Sequence, residues 1–176
     1  MMSIKAQSDA LQVAFPQFQA VIDEAMHGVW MGPVRPSTTS YLLRIDYRLP
    51  PHLALKAPLR TFYPRVYVLE PTLKPNRKAE LGPLPHVWYD KEYEGQPNLC
   101  LFHPRKGEWH YDCAIATTTL PDACEWLNSY ELWRADGRWY GGGEDHGQNI
   151  TGNDNNDISK IRRDALSGAS KIALAG

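Results

Sequence analysis

From Ser8 to Gly28 the apolar positions Leu11, Phe15, Phe18, Ile22 and Met26 recur at helical spacing, with Ser8 and Asp9 on the same pattern and Gly28 as the stop. This predicts one amphipathic helix whose apolar stripe packs on a sheet. Pro16 lies inside the pattern, so the helix is expected to kink there or to begin at Phe15. The period then changes. From Ser40 to Leu49, Tyr41, Leu43, Ile45 and Tyr47 alternate with Leu42, Arg44, Asp46 and Arg48, the signature of a half-buried strand. Val66 and Val68 mark another strand over Arg65 to Glu70, ended by Pro71, and Gly28 to Ser37 is expected to hold a short strand broken by Pro33 and Pro36.

A second helix follows from "TTTLPDACEWLNSYELWRADG". Thr118 or Thr119 is its expected cap, Pro121 and Asp122 sit in the first turn, and Gly137 lies just beyond the end. Ala123, Trp126, Leu127, Tyr130 and Trp133 or Arg134 form its apolar stripe, with Cys124 at the border. Strands that succeed one another without intervening helices imply an antiparallel meander, so the expected class is α+β. After Tyr140 the sequence loses its apolar residues, which divides the chain into a folded domain over 1–140 and a polar, flexible tail over 141–176. Within that tail, Ile158, Ile161, Ala165 and Leu166 are spaced for a short basic helix with Lys160, Arg162 and Arg163.

Composition narrows the function. The chain has 176 residues, enough for one domain to bury a core without metal or disulfide staples, and a formal net charge of −1 gives no reason to expect a nucleic-acid partner. No apolar run approaches the length of about 18 residues that a spanning helix needs, and Met1 to Ala10 does not read as a signal peptide. A cytoplasmic protein is therefore expected. There is no GxxxxGK[ST] or GxGxxG motif, and Gly141 to Gly143 follow a helix, the wrong context for a phosphate cradle. No cofactor is expected. The three cysteines, Cys100, Cys113 and Cys124, are an odd number without CxxC spacing, which speaks against a disulfide framework and against a zinc site. Cys113 and Cys124 read most simply as small core-edge residues.

Cys100 stands apart. It follows Leu81 to Asn98, a stretch with three prolines, two glycines, Trp88, Tyr89, Tyr93 and His86, which reads as an ordered loop pinned by aromatics. An unperturbed thiol ionises near pH 8.5 and needs help at neutral pH. His103, His110 beyond an Arg105-Lys106-Gly107 turn, and His86 upstream are candidates to supply it, with Asp112 or Asp90 as an orienting carboxylate. Strand alternation would send Cys100 and His103 to opposite faces. A buried, inert cysteine between Leu99 and Leu101 is the competing reading.

From Tyr41 to Gly137 the order "YLLRIDYRLP", "YPRVYVLEP", "LPHVW", "GQPNLCLF", "EWH" and the helix from Thr118 resembles the ubiquitin-conjugating enzyme family. "PHVW", "NLCLF", "WLNSYELW" and "GRWYGGGEDH" are similar in particular to its bacterial branch in CBASS antiphage defence operons. The resemblance implies an N-terminal helix, a four-stranded antiparallel meander and a C-terminal helix packed on the sheet. It implies that Cys100 forms a thioester with the C-terminus of a cGAS-like nucleotidyltransferase (CD-NTase) and passes the acyl group to an amine, with a separate activating enzyme where loading requires one. Leu84-Pro85-His86 stands where eukaryotic members carry His-Pro-Asn, Leu99-Cys100-Leu101 matches the cysteine segment, and Trp109 matches a following tryptophan. The asparagine that supports the oxyanion is thus replaced by His86, leaving His86, Asn98 and backbone N–H groups near Cys100 as candidates for that role. The alternatives are a non-catalytic binding module on the same scaffold and a stand-alone cysteine peptidase.

Overall fold

The computed structural model describes residues 1–50, 62–76, 84–89, 96–103 and 106–142. Two helices, α1 (Ile4–Ala14) and α2 (Thr119–Asp136), accompany six strands: β1 (Gln19–Asp23), β2 (His27–Val34), β3 (Tyr41–Arg48), β4 (Arg65–Glu70), β5 (Val87–Tyr89) and β6 (Pro97–Leu99). They form one antiparallel sheet in the order β1-β2-β3-β4-β6-β5. The α+β class therefore holds, and β1 to β4 are a meander of consecutive neighbours. The expected four strands become six because a hairpin, β5-β6, extends the sheet past β4. The stretch read as a loop from Leu81 to Asn98 contains β5 and most of that hairpin's second strand.

The N-terminal helix is shorter than its apolar period suggested. Ser3 caps it by accepting the Ala6 N–H through Oγ at 3.1 Å. Pro16 disfavours helical backbone at the residue before it, and Phe15 accordingly leaves the helix at φ −138°, ψ 70°. Phe18, Ile22 and Met26 are thus not on a helix, and Ile22 lies in β1, where Val21 and Ile22 suit a strand. The helical spacing from Phe18 onward was a coincidence of period. Phe18 is nonetheless buried, and it lies so close to β2 that a Cβ on Gly32 would fall 2.8 Å from its Cα. Pro33 does not break β2, which runs on to Val34. It falls beyond the last β1 pairing at Met31, where β2 has become an edge.

β3 follows its alternation closely: Tyr41, Leu43, Ile45 and Tyr47 are all buried in the core. The opposite face is less simple than hydrophobic-in, polar-out. Asp46 is 4% exposed and takes His27 Nε2 at 3.1 Å, Arg44 at 3.2 Å and Arg48 at 3.7 Å, the pairing that a buried carboxylate requires.

Helix α2 matches its predicted bounds. Gly137 ends it at φ 84°, a left-handed conformation that glycine adopts without penalty, and donates its N–H to Trp133 O at 2.9 Å. The cap differs from expectation: Thr118 makes no side-chain bond to the helix and turns its hydroxyl back to Ala114 O at 2.8 Å. Leu120, Ala123, Trp126, Leu127, Tyr130 and Trp133 are buried in the core that the strands share, while Arg134 reaches outward to Pro75 O.

Polar staples fix the periphery. Gln7, fully buried on α1, donates to Cys113 O and accepts from the Ile115 N–H, both at 2.8 Å. Tyr130 OH accepts from the Lys74 N–H at 2.7 Å. Glu131 accepts from both the N–H and the hydroxyl of Thr38. Trp109 is completely buried, with its ring edge-on to Tyr47, Tyr63 and Tyr111. The tryptophan of the cysteine segment is therefore a core residue.

Replacing Trp109 with Ala empties the centre of this aromatic cluster and should cost about 3–5 kcal/mol. A urea unfolding curve should show the midpoint falling with little change in slope.

Candidate functional site around Cys100

Cys100 leaves the end of β6, and its position is set by backbone bonding. The register Tyr89↔Pro97, Trp88↔Asn98 and Val87↔Leu99 is continued by one further bond, from the Cys100 N–H to His86 O at 3.0 Å. The same carbonyl accepts the Trp126 indole N–H from α2, also at 3.0 Å. His86 reaches this geometry with φ at 47°, a left-handed conformation that costs a residue with a Cβ about 1–2 kcal/mol. Its ring packs on Trp139 with centroids 5.2 Å apart, and Trp139 packs in turn on Trp126 at 5.4 Å.

Cys100 opens into a cavity of about 460 Å³, a size that accommodates a peptide terminus or small ligand. His86, His103, Lys106, Glu108, Asp122, Glu125, Trp126 and Trp139 line it, and Gly141 and Gly142 complete the wall. The structure thus gathers Cys100, His86 and His103 on one space. The alternation that separated Cys100 from His103 does not apply, because β6 ends at Leu99 and residues 100–103 are not a strand. The His103 backbone N–H donates to Glu108 Oε2 at 2.6 Å across a turn that also carries a Lys106 N–H to His103 O bond. Gly107 passes through this turn at φ 62°.

Asn98 is placed differently. Its Oδ1 accepts the Val66 N–H at 3.1 Å, so the amide helps to join β6 to β4, and it does not line the cavity. His110 and Asp112 lie on an exposed turn beside the chain N-terminus, whose ammonium pairs with Asp112; neither lines the cavity. Asp90 is outside the described residues, as is the segment 143–176. Cys124 sits at the edge of the core as expected, where burial pushes its thiol up, and Cys113 also packs against the core.

The electrostatics of the cavity oppose ionisation of its acids. Burial is the largest influence on Cys100 and raises its thiol above the ordinary range. A hydrogen bond from the Trp88 side chain works the other way, and the Glu108 carboxylate adds to the rise. Asp122 is also pushed up, first by burial and then by Glu125 and Glu108. Sequence reasoning did not pick out these three carboxylates. Asp122 and Glu125 were legible as neighbours on one face of α2, being three residues apart, but nothing in the sequence turned that face toward Cys100. Trp139 was concealed by its place after the helix stop. Among the described residues, no three His, Cys, Asp or Glu side chains converge as a metal site would require.

A partly buried thiol therefore opens on a cavity reached from a sheet hairpin and walled by α2. The family model of the Type II CBASS E2 protein matches residues 7–147, and the chain belongs to this family. Membership brings it into CBASS antiphage defence, where it works with other components of that system. No curated relative matches the chain. Among the described residues, no helix is long and apolar enough to cross a membrane.

The left-handed backbone at His86 gives a direct test. His86→Asn and His86→Val both remove the imidazole, but asparagine tolerates positive φ and a β-branched residue does not. The valine variant should be less stable than the asparagine variant by about 1–2 kcal/mol in chemical denaturation. Equal stabilities would show that this backbone geometry imposes no constraint.

Proposed function

We propose that the protein is an acyl transferase in which Cys100 takes the C-terminal acyl group of a CD-NTase as a thioester and passes it to an amine. The observation that carries this reading is the seating of Cys100 on an accessible cavity in a chain of the CBASS E2 family. In the forward step the Cys100 thiol loses its proton, its sulfur bonds to the acyl carbon, and the donor's leaving group departs. Where the donor has a free carboxylate, a separate activating enzyme must first convert it to an adenylate or thioester. Attack on an internal peptide bond would instead release the downstream segment as an amine. In the second step the amine displaces the Cys100 thiolate.

Within this reading, His103 is the candidate to receive the thiol proton, because it shares the cavity with Cys100, and His86 holds the backbone of the nucleophile. Support for the developing oxyanion falls to N–H groups near Cys100, since Asn98 is turned to β4, where its Oδ1 accepts the Val66 N–H, and does not line the cavity. The carboxylates Glu108, Asp122 and Glu125 outnumber the Lys106 ammonium on the cavity wall and favour an acceptor that carries positive charge.

Incubation with the CD-NTase, and with an activating enzyme where the operon encodes one, should yield an adduct on non-reducing gels that thiols dissolve. Cys100→Ala should abolish it, and Cys100→Ser should either abolish it or leave an ester that thiols do not reverse. Demonstrated binding without an adduct from the wild-type protein would favour a scaffold, and cleavage without transfer would favour a peptidase.

Adduct formation should also accelerate with pH. The reactive form is the thiolate, burial disfavours that form, and so the reactive fraction grows as pH rises from neutral into the alkaline range. A rate that falls over that interval would contradict a thiolate nucleophile at Cys100.

A further inference from the structure

Trp88 is a large aromatic residue that does not belong to the core. It lies on β5, the last strand of the sheet, and is 48% exposed. Hydrophobic burial therefore does not explain its position. The register does offer an explanation. Trp88 stands directly opposite Asn98, so Cys100, two residues further along, is its diagonal neighbour across the hairpin. Although β6 ends at Leu99, the Cys100 N–H to His86 O bond carries the pairing one residue further and keeps Cys100 on the face of Asn98, and a diagonal pair about 7–8 Å apart lies within reach of an indole.

The indole has one polar group, Nε1–H, which can only donate. It makes a hydrogen bond to the Cys100 side chain. On the other side of the thiol, the cavity presents the carboxylates Glu108, Asp122 and Glu125 together with Lys106, His86 and His103, and Glu108 acts against ionisation. The sulfur thus has a neutral donor on the hairpin and groups of both signs across the cavity.

We infer that Trp88 is the thiolate-holding residue of this site: from its diagonal position across the hairpin its indole N–H donates to Cys100 Sγ and sustains the anion. A neutral donor favours the thiolate from the hairpin side, opposite the wall that carries Lys106 and Glu108. A hydrogen bond to a charged acceptor is stronger than one to a neutral acceptor, so the bond strengthens as the thiol ionises. This inference rests on Cys100 being the reactive thiol of the proposed transfer, but it concerns ionisation of the sulfur and can be measured without any acyl donor.

The experiment uses the full chain and iodoacetamide, with Cys100 alkylation followed across pH by peptide mass spectrometry so that Cys113 and Cys124 are counted separately. Trp88→Phe keeps the ring and removes the N–H. It should slow Cys100 alkylation at neutral pH by about tenfold, the change expected for losing a hydrogen bond to a charged acceptor. The Cys100 profile should move to higher pH, while that of Cys124 and the thermal midpoint stay in place. A folded Trp88→Phe protein whose Cys100 profile overlies that of the wild type would overturn the inference.

A second measurement leaves Trp88 intact. In the wild-type protein the Trp88 indole N–H resonance should titrate in step with Cys100 alkylation, and Cys100→Ala should abolish that titration. A Trp88 resonance that does not respond to pH over the range where Cys100 ionises would also overturn it. The two ideas fail separately. A shifted alkylation profile without any acyl adduct sustains the role of Trp88 and removes the transferase reading, whereas a normal adduct with an unmoved profile does the reverse.

Discussion

The carbonyl oxygen of His86 accepts two hydrogen bonds, one from the Cys100 backbone and one from the Trp126 indole on α2. Through this one atom the end of the sheet is fastened both to the thiol-bearing segment and to the helix that walls the cavity. The bonds come at the cost of a left-handed backbone at His86, a strain that surrounding structure must hold in place. It is held by the β5-β6 pairing on one side and by the packing of the His86 ring on Trp139 on the other. Remove that carbonyl from its position and Cys100 loses its defined relation to Trp126, Glu108 and Asp122.

The site combines features that pull against one another. Burial and the Glu108 carboxylate disfavour the Cys100 thiolate, yet a thiolate is the form able to attack an acyl carbon. Such a balance limits indiscriminate reaction of the thiol while leaving it sensitive to local donors. The wall that holds Glu108 also carries Lys106 and two histidines, so the cavity mixes acidic and basic groups around the thiol. Asn98 shows how a residue close to Cys100 can serve the sheet: its amide oxygen accepts the Val66 N–H, linking a three-residue strand to β4.

Much of the scaffold was legible because it depends on local periodicity. The alternation in β3, the bounds of β4 and the stripe and stop of α2 all reappear in the structure, since burying one face of a strand or helix imposes its period directly on the sequence. The N-terminal region misled for the same reason. Phe18, Ile22 and Met26 are spaced as on a helix, but Pro16 ends α1 and the chain turns into β1 and β2, where Phe18 finds its burial against Gly32. The short strands β5 and β6 left too few residues for a period to show, and their prolines and aromatics read as a loop.

By itself the sequence determined the α+β class, the principal strands and helix α2, because each follows from nearest neighbours along the chain. Only the tertiary structure decided which groups surround Cys100. It brought His86 and His103 to the cavity, directed Asn98 to β4 and left His110 on an exposed turn. It added Glu108, Asp122, Glu125 and Trp139, and set Trp88 diagonally across the hairpin from the thiol. These relations depend on strand register and on the docking of α2, which join residues distant in the chain and so leave no period along it.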